Sequence, residues 1–396
     1  MRDIWKKTWF IGLAYALAAV AGSAQRLAMG RLPNGYTAYE NYLIFKTSYL
    51  QLAAGANPYA GMPDGPWDLF KYSPAFALAM APFTLLPDWL GVTLWNLLNA
   101  LPLLYALLHL PILTRQQRVF CAWFVLPELV ISLQNSQSNG ITAALLLLAW
   151  LAFEQNRLAR AAGWVATSAF IKIFGVFAVL PGLLYPRWAG FAGWLVLWSA
   201  ALLLVPLVLV PPTHLVQVYT WWIELLRADQ AVSIGLSVQG WFQSWFGWGP
   251  SKMLVMGVGF LVFVASVVAA RRVAQTWPHY RVLAWASLLL WVVIFNHKAE
   301  SPTYIIAMCG VAFWYCTSEK RTWEKILFWS AFVLASLSPT DIFPRYLREV
   351  WVQPYVLKAV PCIVVWAVVS VRLFGAVLIK VEEGLANQQT SKTITT

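Results

Sequence analysis

Apolar runs fill this chain from near its start to near its end, and that repetition constrains the fold more than any motif does. Segments such as ITAALLLLAWLAF (141–153) and LVMGVGFLVFVASVVAA (254–270) carry no charge, and short polar stretches separate them. The 396 residues are 60% hydrophobic and only 11% charged, against roughly half apolar and a quarter charged in soluble domains. Such a surface is stable in lipid rather than water, and lipid requires every backbone N–H and C=O to be satisfied within the chain, so the spans must be helices. The expected fold is all-α and polytopic: one integral membrane domain over residues 1–380, then a polar cytoplasmic tail, 381–396. The first apolar run, from about Trp9 to Ser23, has no convincing signal-peptidase site and is followed by many spans, which makes it a retained first helix.

The net charge of +12 does not form one patch. Basic residues fall between apolar runs, in RDIWKK, TRQQR, EQNRLAR, YPRW, ARRVAQTWPHYR and SEKRTWEK. This is the distribution of cytoplasmic loops under the positive-inside rule, and it excludes nucleic acid as the expected partner. All four cysteines lie within apolar segments, so neither a disulfide framework nor a thiolate metal site is expected. The chain has no HExxH, no DxD, no phosphate-binding Gly-x-x-x-x-Gly-Lys-Ser/Thr loop and no Gly-x-Gly-x-x-Gly turn. No metal, cofactor or soluble nucleotide-sugar donor is therefore expected.

With the N-terminus inside, the first helix delivers residues 25–72 to the outer side. That loop is expected to hold an amphipathic helix from about Tyr39 to Ala54, then a Gly-, Pro- and Asp-rich stretch. A second outer loop, 213–250, is expected to carry an interfacial helix over THLVQVYTWWIELLRADQ. The later spans thread as Ala189 to Val210, Leu254 to Ala270, Val282 to Phe295, Pro302 to Tyr315, Ile326 to Leu337 and Val352 to about Ile379. Two places resist simple threading. The run from Tyr72 to Leu86 is shorter than the roughly 20 residues a span needs, and two short runs meet at Lys172. Both read as short or broken helices, which at membrane depth are tolerated where they line an enclosed cavity. The expected total is about eleven to thirteen transmembrane or half-membrane helices.

An ionisable group in the apolar zone costs about 2.5 to 3.5 kcal/mol or more, so the positions of such groups mark function. On this threading they collect at the outer level. Glu40, Lys46, Asp64, Asp68 and Lys71 lie in the first outer loop, Glu128, Asn135 to Asn139 and Lys172 near outer ends of front-half segments, and His297, Lys298 and Glu300 at an outer junction. Lysines and a histidine at a membrane face suit a phosphate on a lipid headgroup, and a lone carboxylate suits a general base on an acceptor hydroxyl. Each has a plainer reading. Glu40 could be a solvated charge on an interfacial helix, Asp68 and Lys71 a loop ion pair, and Lys172 a snorkelling side chain. Asn135, Gln137 and Asn139 could bond sugar hydroxyls or cap a helix, and Asn296 to Glu300 could be a polar turn.

The segments ENYLIFKTSYLQLAAGANPY, DLFKYSPAFALAMAPFTLLPDWLGVTLWNLLNAL, NSQSNGITAALLLLAWLAFEQNRLARAAGWVATSAFIKIFG, SVQGWFQSWFG and NHKAESPTYIIAM, taken together and in this order, resemble glycosyltransferase family 87 over about Tyr39 to Tyr315. The resemblance implies a GT-C fold. It also implies inverting transfer of a sugar, most commonly mannose, from a polyprenyl-phosphate donor to a lipid or glycan acceptor, and with no metal motif in the sequence that transfer is expected to be metal-independent. The active site would face the outer side of the cytoplasmic membrane, and membrane lipids would be partners. The family's acidic position in the first outer loop falls on or next to Asn41. Glu40 is the adjacent candidate base and Asp68 its rival. The family's Gly-Gln-x-Asn-like element is matched by SQSN, which ends at Asn139, its Ile-Lys element by Ile171 and Lys172, and its late histidine by His297. The substrate-binding set expected is Asn41, Lys46, Lys71, Asn135, Gln137, Asn139, Lys172, His297, Lys298 and Glu300. A secondary transporter or flippase of a lipid-linked or small anionic substrate is the rival class, since it too places charges at broken helices.

Overall fold

The computed structural model describes residues 4–33, 35–61, 66, 68–228 and 235–376. Asp64 and the expected tail at 381–396 lie outside the described residues. Among those residues the fold is helical throughout, apart from one isolated bridge between Arg31 and Thr37. Four helices, of 19 to 22 residues, are long and apolar enough to cross a membrane, and six further apolar helices are shorter. The chain forms two compact units. One comprises Met1–Val176, Ala189–Ser233 and Ser301–Ile306, and the other Phe177–Trp188, Ile234–Glu300 and Ala307–Thr396.

In the first unit, α1 (Thr8–Met29) buries Ile11, Tyr15, Ala19, Gly22 and Ser23. The spacing of three and four residues puts them on one stripe. Trp9, Leu13, Leu17 and Val20 stay exposed, as suits a face turned to lipid. The loop after α1 carries α2 (Glu40–Ala53), within a residue of the helix expected there. The run from Tyr72 to Leu86 does not span: it forms two short helices, α3 (Pro74–Ala79) and α4 (Ala81–Thr84). Ser73 caps α3 by accepting from the Phe76 N–H, with Pro74 at the first helical position, the favoured start of a helix.

The second span is α5 (Asp88–His109), followed by α6 (Arg115–Gln134), α7 (Asn139–Glu154) and α8 (Leu158–Ile171). Because α3 and α4 turn back, TRQQR comes to the end of the unit where α1 begins: Trp123 Nε1 donates to the Trp5 carbonyl at 3.0 Å. Polar side chains knit the helices together. Tyr15 donates to the Ala122 carbonyl at 2.7 Å, and Asn96 Nδ2 donates to Ser23 Oγ at 2.8 Å and the Leu133 carbonyl at 3.1 Å. In lipid, where apolar contact gives no net drive to associate, such bonds and close backbone approach hold helices together. Gly140 provides that approach, since a Cβ there would lie 2.9 Å from the Asn99 carbonyl oxygen. The remaining helices of this unit are α9 (Trp188–Leu204) and the expected interfacial helix, α10 (Pro212–Ala228).

The second unit holds α11 (Val238–Phe246), α12 (Lys252–Ala270), α13 (His279–Ile294), most of α14 (Tyr304–Cys316), α15 (Thr322–Ala331) and α16 (Val360–Ala376). Every residue of α13 from Val282 to Ile294 is buried. Sixteen residues rise only about 24 Å, less than the roughly 30 Å hydrocarbon layer, so its apolarity serves protein contacts. Phe263 of α12 stacks on Trp291 of α13 with centroids 5.5 Å apart. The last span starts later than the expected Val352, for a local reason. Pro354 disfavours helix at the residue before it, and Val356 takes a positive φ of 53°. The helix starts only at Val360, with Pro361 in its first turn, where a missing N–H costs nothing.

Candidate active site

The polar residues of the first unit gather where α1, α6 and α8 end and α5 and α7 begin. The floor is a cluster of aromatic rings. Phe45 of α2 packs edge-on against Tyr72, Phe76 and Trp95 at centroid distances of 5.0, 5.3 and 5.4 Å. Such pairs add specific geometry to apolar burial. Trp95 Nε1 donates to the Ser136 carbonyl at 2.8 Å, which ties the floor to the turn between α6 and α7.

That turn is conformationally unusual. Ser136 has φ of 48°, a left-handed conformation that costs a non-glycine residue about 1 kcal/mol. It is fully buried and its carbonyl is held by Trp95. The sharp reversal presents Asn135, Gln137, Ser138 and Asn139 in succession. Asn41 Nδ2 of α2 donates to the Asn135 carbonyl at 2.9 Å, and Asn135 Nδ2 to the Ile131 carbonyl at 2.8 Å. Ser138 Oγ donates to the Tyr72 hydroxyl at 3.3 Å. Asn139 Nδ2 donates to Gln137 Oε1 at 2.5 Å, and the Lys172 ammonium donates to Asn139 Oδ1. Asn139 is wholly buried at the first position of α7.

Lys172 stands where α8 breaks. Its backbone is extended (φ −133°, ψ 119°) and a 3₁₀ turn, Ile173–Ala178, follows. The two short runs do meet at this lysine. Ser73 anchors the break from the loop side by donating to the Phe170 carbonyl at 2.6 Å. The Lys172 ammonium also lies 5.8 Å from the centre of the Phe174 ring.

Glu40 opens α2 beside Asn41 and is 9% exposed. Thr37 Oγ1 donates to its Oε2 at 2.7 Å. Asp68 and Lys71 form the loop ion pair, with Nζ 2.9 Å from Oδ1 and 3.2 Å from Oδ2, each about one third exposed. The Leu69 N–H also donates to Asp68 Oδ1 at 2.8 Å. At that exposure the pair stabilises by no more than about 1 kcal/mol. From α10, Trp222 Nε1 donates to the Lys71 carbonyl at 3.2 Å, which fixes the loop. Lys46 points elsewhere, to Asp88 Oδ1 at 2.7 Å and the Leu86 carbonyl at 3.2 Å. The Tyr39 hydroxyl is raised above its ordinary pKa, by burial first and by the Asp88 charge second, so it stays protonated beside that carboxylate.

His297, Lys298 and Glu300 belong to the second unit. Asn296 Oδ1 accepts from the Lys298 N–H at 3.0 Å, an Asx turn, and the Ala299 carbonyl accepts from the Leu236 N–H at 2.9 Å. Gly235 lies against this turn so closely that a Cβ there would be 2.3 Å from the His297 carbonyl oxygen. His297 and Lys298 are half-buried and Glu300 is exposed.

Sequence reasoning brought Asn41, Asn135, Gln137, Asn139 and Lys172 into the site, and hydrogen bonds link Asn41 to Asn135 and Lys172 through Asn139 to Gln137. It missed Tyr72, Ser73 and Trp222, which position the loop, the turn and the break at Lys172, and Asp88, which takes Lys46. Only Ser73 had a local signal, the Ser-Pro start of a helix. Among the described residues no group of three or more His, Cys, Asp or Glu side chains is placed to hold a metal ion.

The model of glycosyltransferase family 87 matches residues 70–302, more than half of the chain. The chain belongs to that family. The match takes in the α6–α7 turn, Lys172, and His297 to Glu300, while Glu40, Asn41, Lys46 and Asp68 precede it. This family 87 chain is also similar to the crystal structure of ArnT from Cupriavidus metallidurans bound to undecaprenyl phosphate. That similarity has a TM-score of 0.37 and 15% identity, over 92% of this chain and 77% of that one. No curated protein matches the chain in sequence.

Proposed function

We propose that this membrane glycosyltransferase is a GT-C-type enzyme. It takes a hexosyl group, mannose being the first candidate, from a polyprenyl-phosphate donor and passes it to a lipid or glycan acceptor, with inversion and without a metal. The site faces the outer side of the cytoplasmic membrane. The observation that carries this reading is the Lys172–Asn139–Gln137 chain at a broken helix end, in a chain of this family.

A broken helix that presents an ammonium and amides suits a sugar phosphate. The ammonium stabilises charge developing on the leaving phosphate, and amides can orient sugar hydroxyls. In the single displacement, a carboxylate takes the proton of the acceptor hydroxyl as its oxygen bonds to the anomeric carbon. The bond from that carbon to the phosphate oxygen breaks, and polyprenyl phosphate departs with the electron pair. Glu40, buried at the start of α2 and next to the family's acidic position, is assigned the base, with Asp68, one third exposed and paired with Lys71, as its rival.

The test is transfer of radiolabelled sugar from a panel of polyprenyl-phosphate sugars in membranes containing the full chain. Transfer by the wild type, lost in Glu40→Gln at normal abundance, supports the reading. Transport of an anionic substrate into vesicles without any sugar transfer would replace it with the transporter class.

A further inference from the structure

At the opposite end of the first unit lies a cavity of about 1030 Å³ that the proposed transfer does not use. It opens between the start of α1 and the start of α6. Trp5, Phe10, Phe120 and Trp123 form its walls, and Lys6, Lys7 and Arg115 its cationic lining. No acidic side chain lines it among the described residues. Its shape is fixed by contacts already on both helices. Trp123 donates to the Trp5 carbonyl at 3.0 Å, Phe10 packs on Trp123 at 6.1 Å, and the Lys6 ammonium sits 4.9 Å over the Trp5 ring. Lys7 and Arg115 are exposed. The 22 residues of α1 separate this cavity from the candidate active site by about 33 Å of helix, roughly a bilayer core.

We propose that this cavity binds an anionic glycerophospholipid from the leaflet at that end. Its phosphodiester lies among Lys6, Lys7 and Arg115, and its glycerol and first acyl carbons lie against the aromatic walls. Basic pockets between spanning helices recognise anionic headgroups in this way, and indole rings favour the same depth. A choline headgroup is disfavoured by three cations with no carboxylate among the described lining residues. Inorganic phosphate would leave the large apolar wall uncovered. The proposal does not depend on the identity of the transferred sugar.

The experiment is native mass spectrometry of the full chain in a zwitterionic detergent, titrated separately with phosphatidylglycerol, phosphatidylcholine, inorganic phosphate and undecaprenyl phosphate. Phosphatidylglycerol is expected to bind tightest. Each cation removed should weaken it about five-fold, so Lys7→Gln with Arg115→Gln should lose about 25-fold. Arg157, in the α7–α8 connection, and Arg160, in the first turn of α8, are exposed at the same end and provide the control. Their double Gln variant should bind phosphatidylglycerol as the wild type does. Equal loss in both double variants would mean general attraction to a basic surface and would overturn the site. So would equal binding of phosphatidylcholine, binding of inorganic phosphate alone, or a preference for undecaprenyl phosphate that depends on Lys7 and Arg115.

Discussion

Replacing Lys172 with methionine keeps a linear stem of similar length and removes only the ammonium. In the structure that ammonium bonds Asn139 Oδ1 and lies 5.8 Å from the Phe174 ring centre. A hydrogen bond from a charged donor contributes about 1.5 to 3 kcal/mol and an exposed cation–π contact about 0.5 to 1 kcal/mol. Bonds between membrane helices average nearer 0.6 kcal/mol, so the loss in stability should be about 2 kcal/mol and leave the protein folded. The loss in activity should be much larger. If the ammonium stabilises charge on the departing phosphate, kcat/KM falls about 10²- to 10³-fold, with Lys172→Arg recovering part of it. The assay is the initial rate of sugar transfer from polyprenyl-phosphate sugar, normalised to protein abundance, for wild type, Lys172→Met and Lys172→Arg. A methionine variant retaining more than about a tenth of wild-type kcat/KM would refute a role at the phosphate. An arginine variant no better than methionine would show that charge is not what Lys172 supplies.

Glu40→Gln should lower transfer about 10²- to 10⁴-fold, as for loss of a general base, while Asp68→Asn should lower it less than about ten-fold, because it removes one partly exposed ion pair; the reverse order would make Asp68 the base. Gly235→Ala places a Cβ 2.3 Å from the His297 carbonyl oxygen, so it should lower the midpoint of thermal unfolding in detergent. Gly257→Ala, where a Cβ meets open space, should leave that midpoint unchanged or raise it, and equal midpoints for the two variants would count against tight packing at Gly235. Transfer should survive a metal chelator at full rate; inhibition that added divalent ion reverses would contradict the metal-independent mechanism.

The local features were legible because each depends on neighbours in the chain. The short run before Leu86 forms α3 and α4 rather than a span, because too few apolar residues precede Pro87 and Ser73 caps a fresh start. The break at Lys172 was legible as two apolar runs too short to cross, and α2 as an amphipathic stretch in a loop. The start of the last span was misplaced because Pro354 and the positive φ of Val356 act against an apolar pattern that continues through both.

What the sequence determined by itself was the solvent and the secondary structure. Lipid demands internally bonded helices, and the length and charge of each apolar run decide where they lie. The partners were decided only in three dimensions. Lys46 and Lys172 look alike as lysines expected on the outer side, yet one is held by Asp88 and the other reaches Asn139. These partners lie 42 and 33 residues away along the chain. Helix packing brings them together, and no spacing rule within one helix reaches that far. The division between a lysine spent on holding α2 in place and one offered at a broken helix is therefore a property of the tertiary structure.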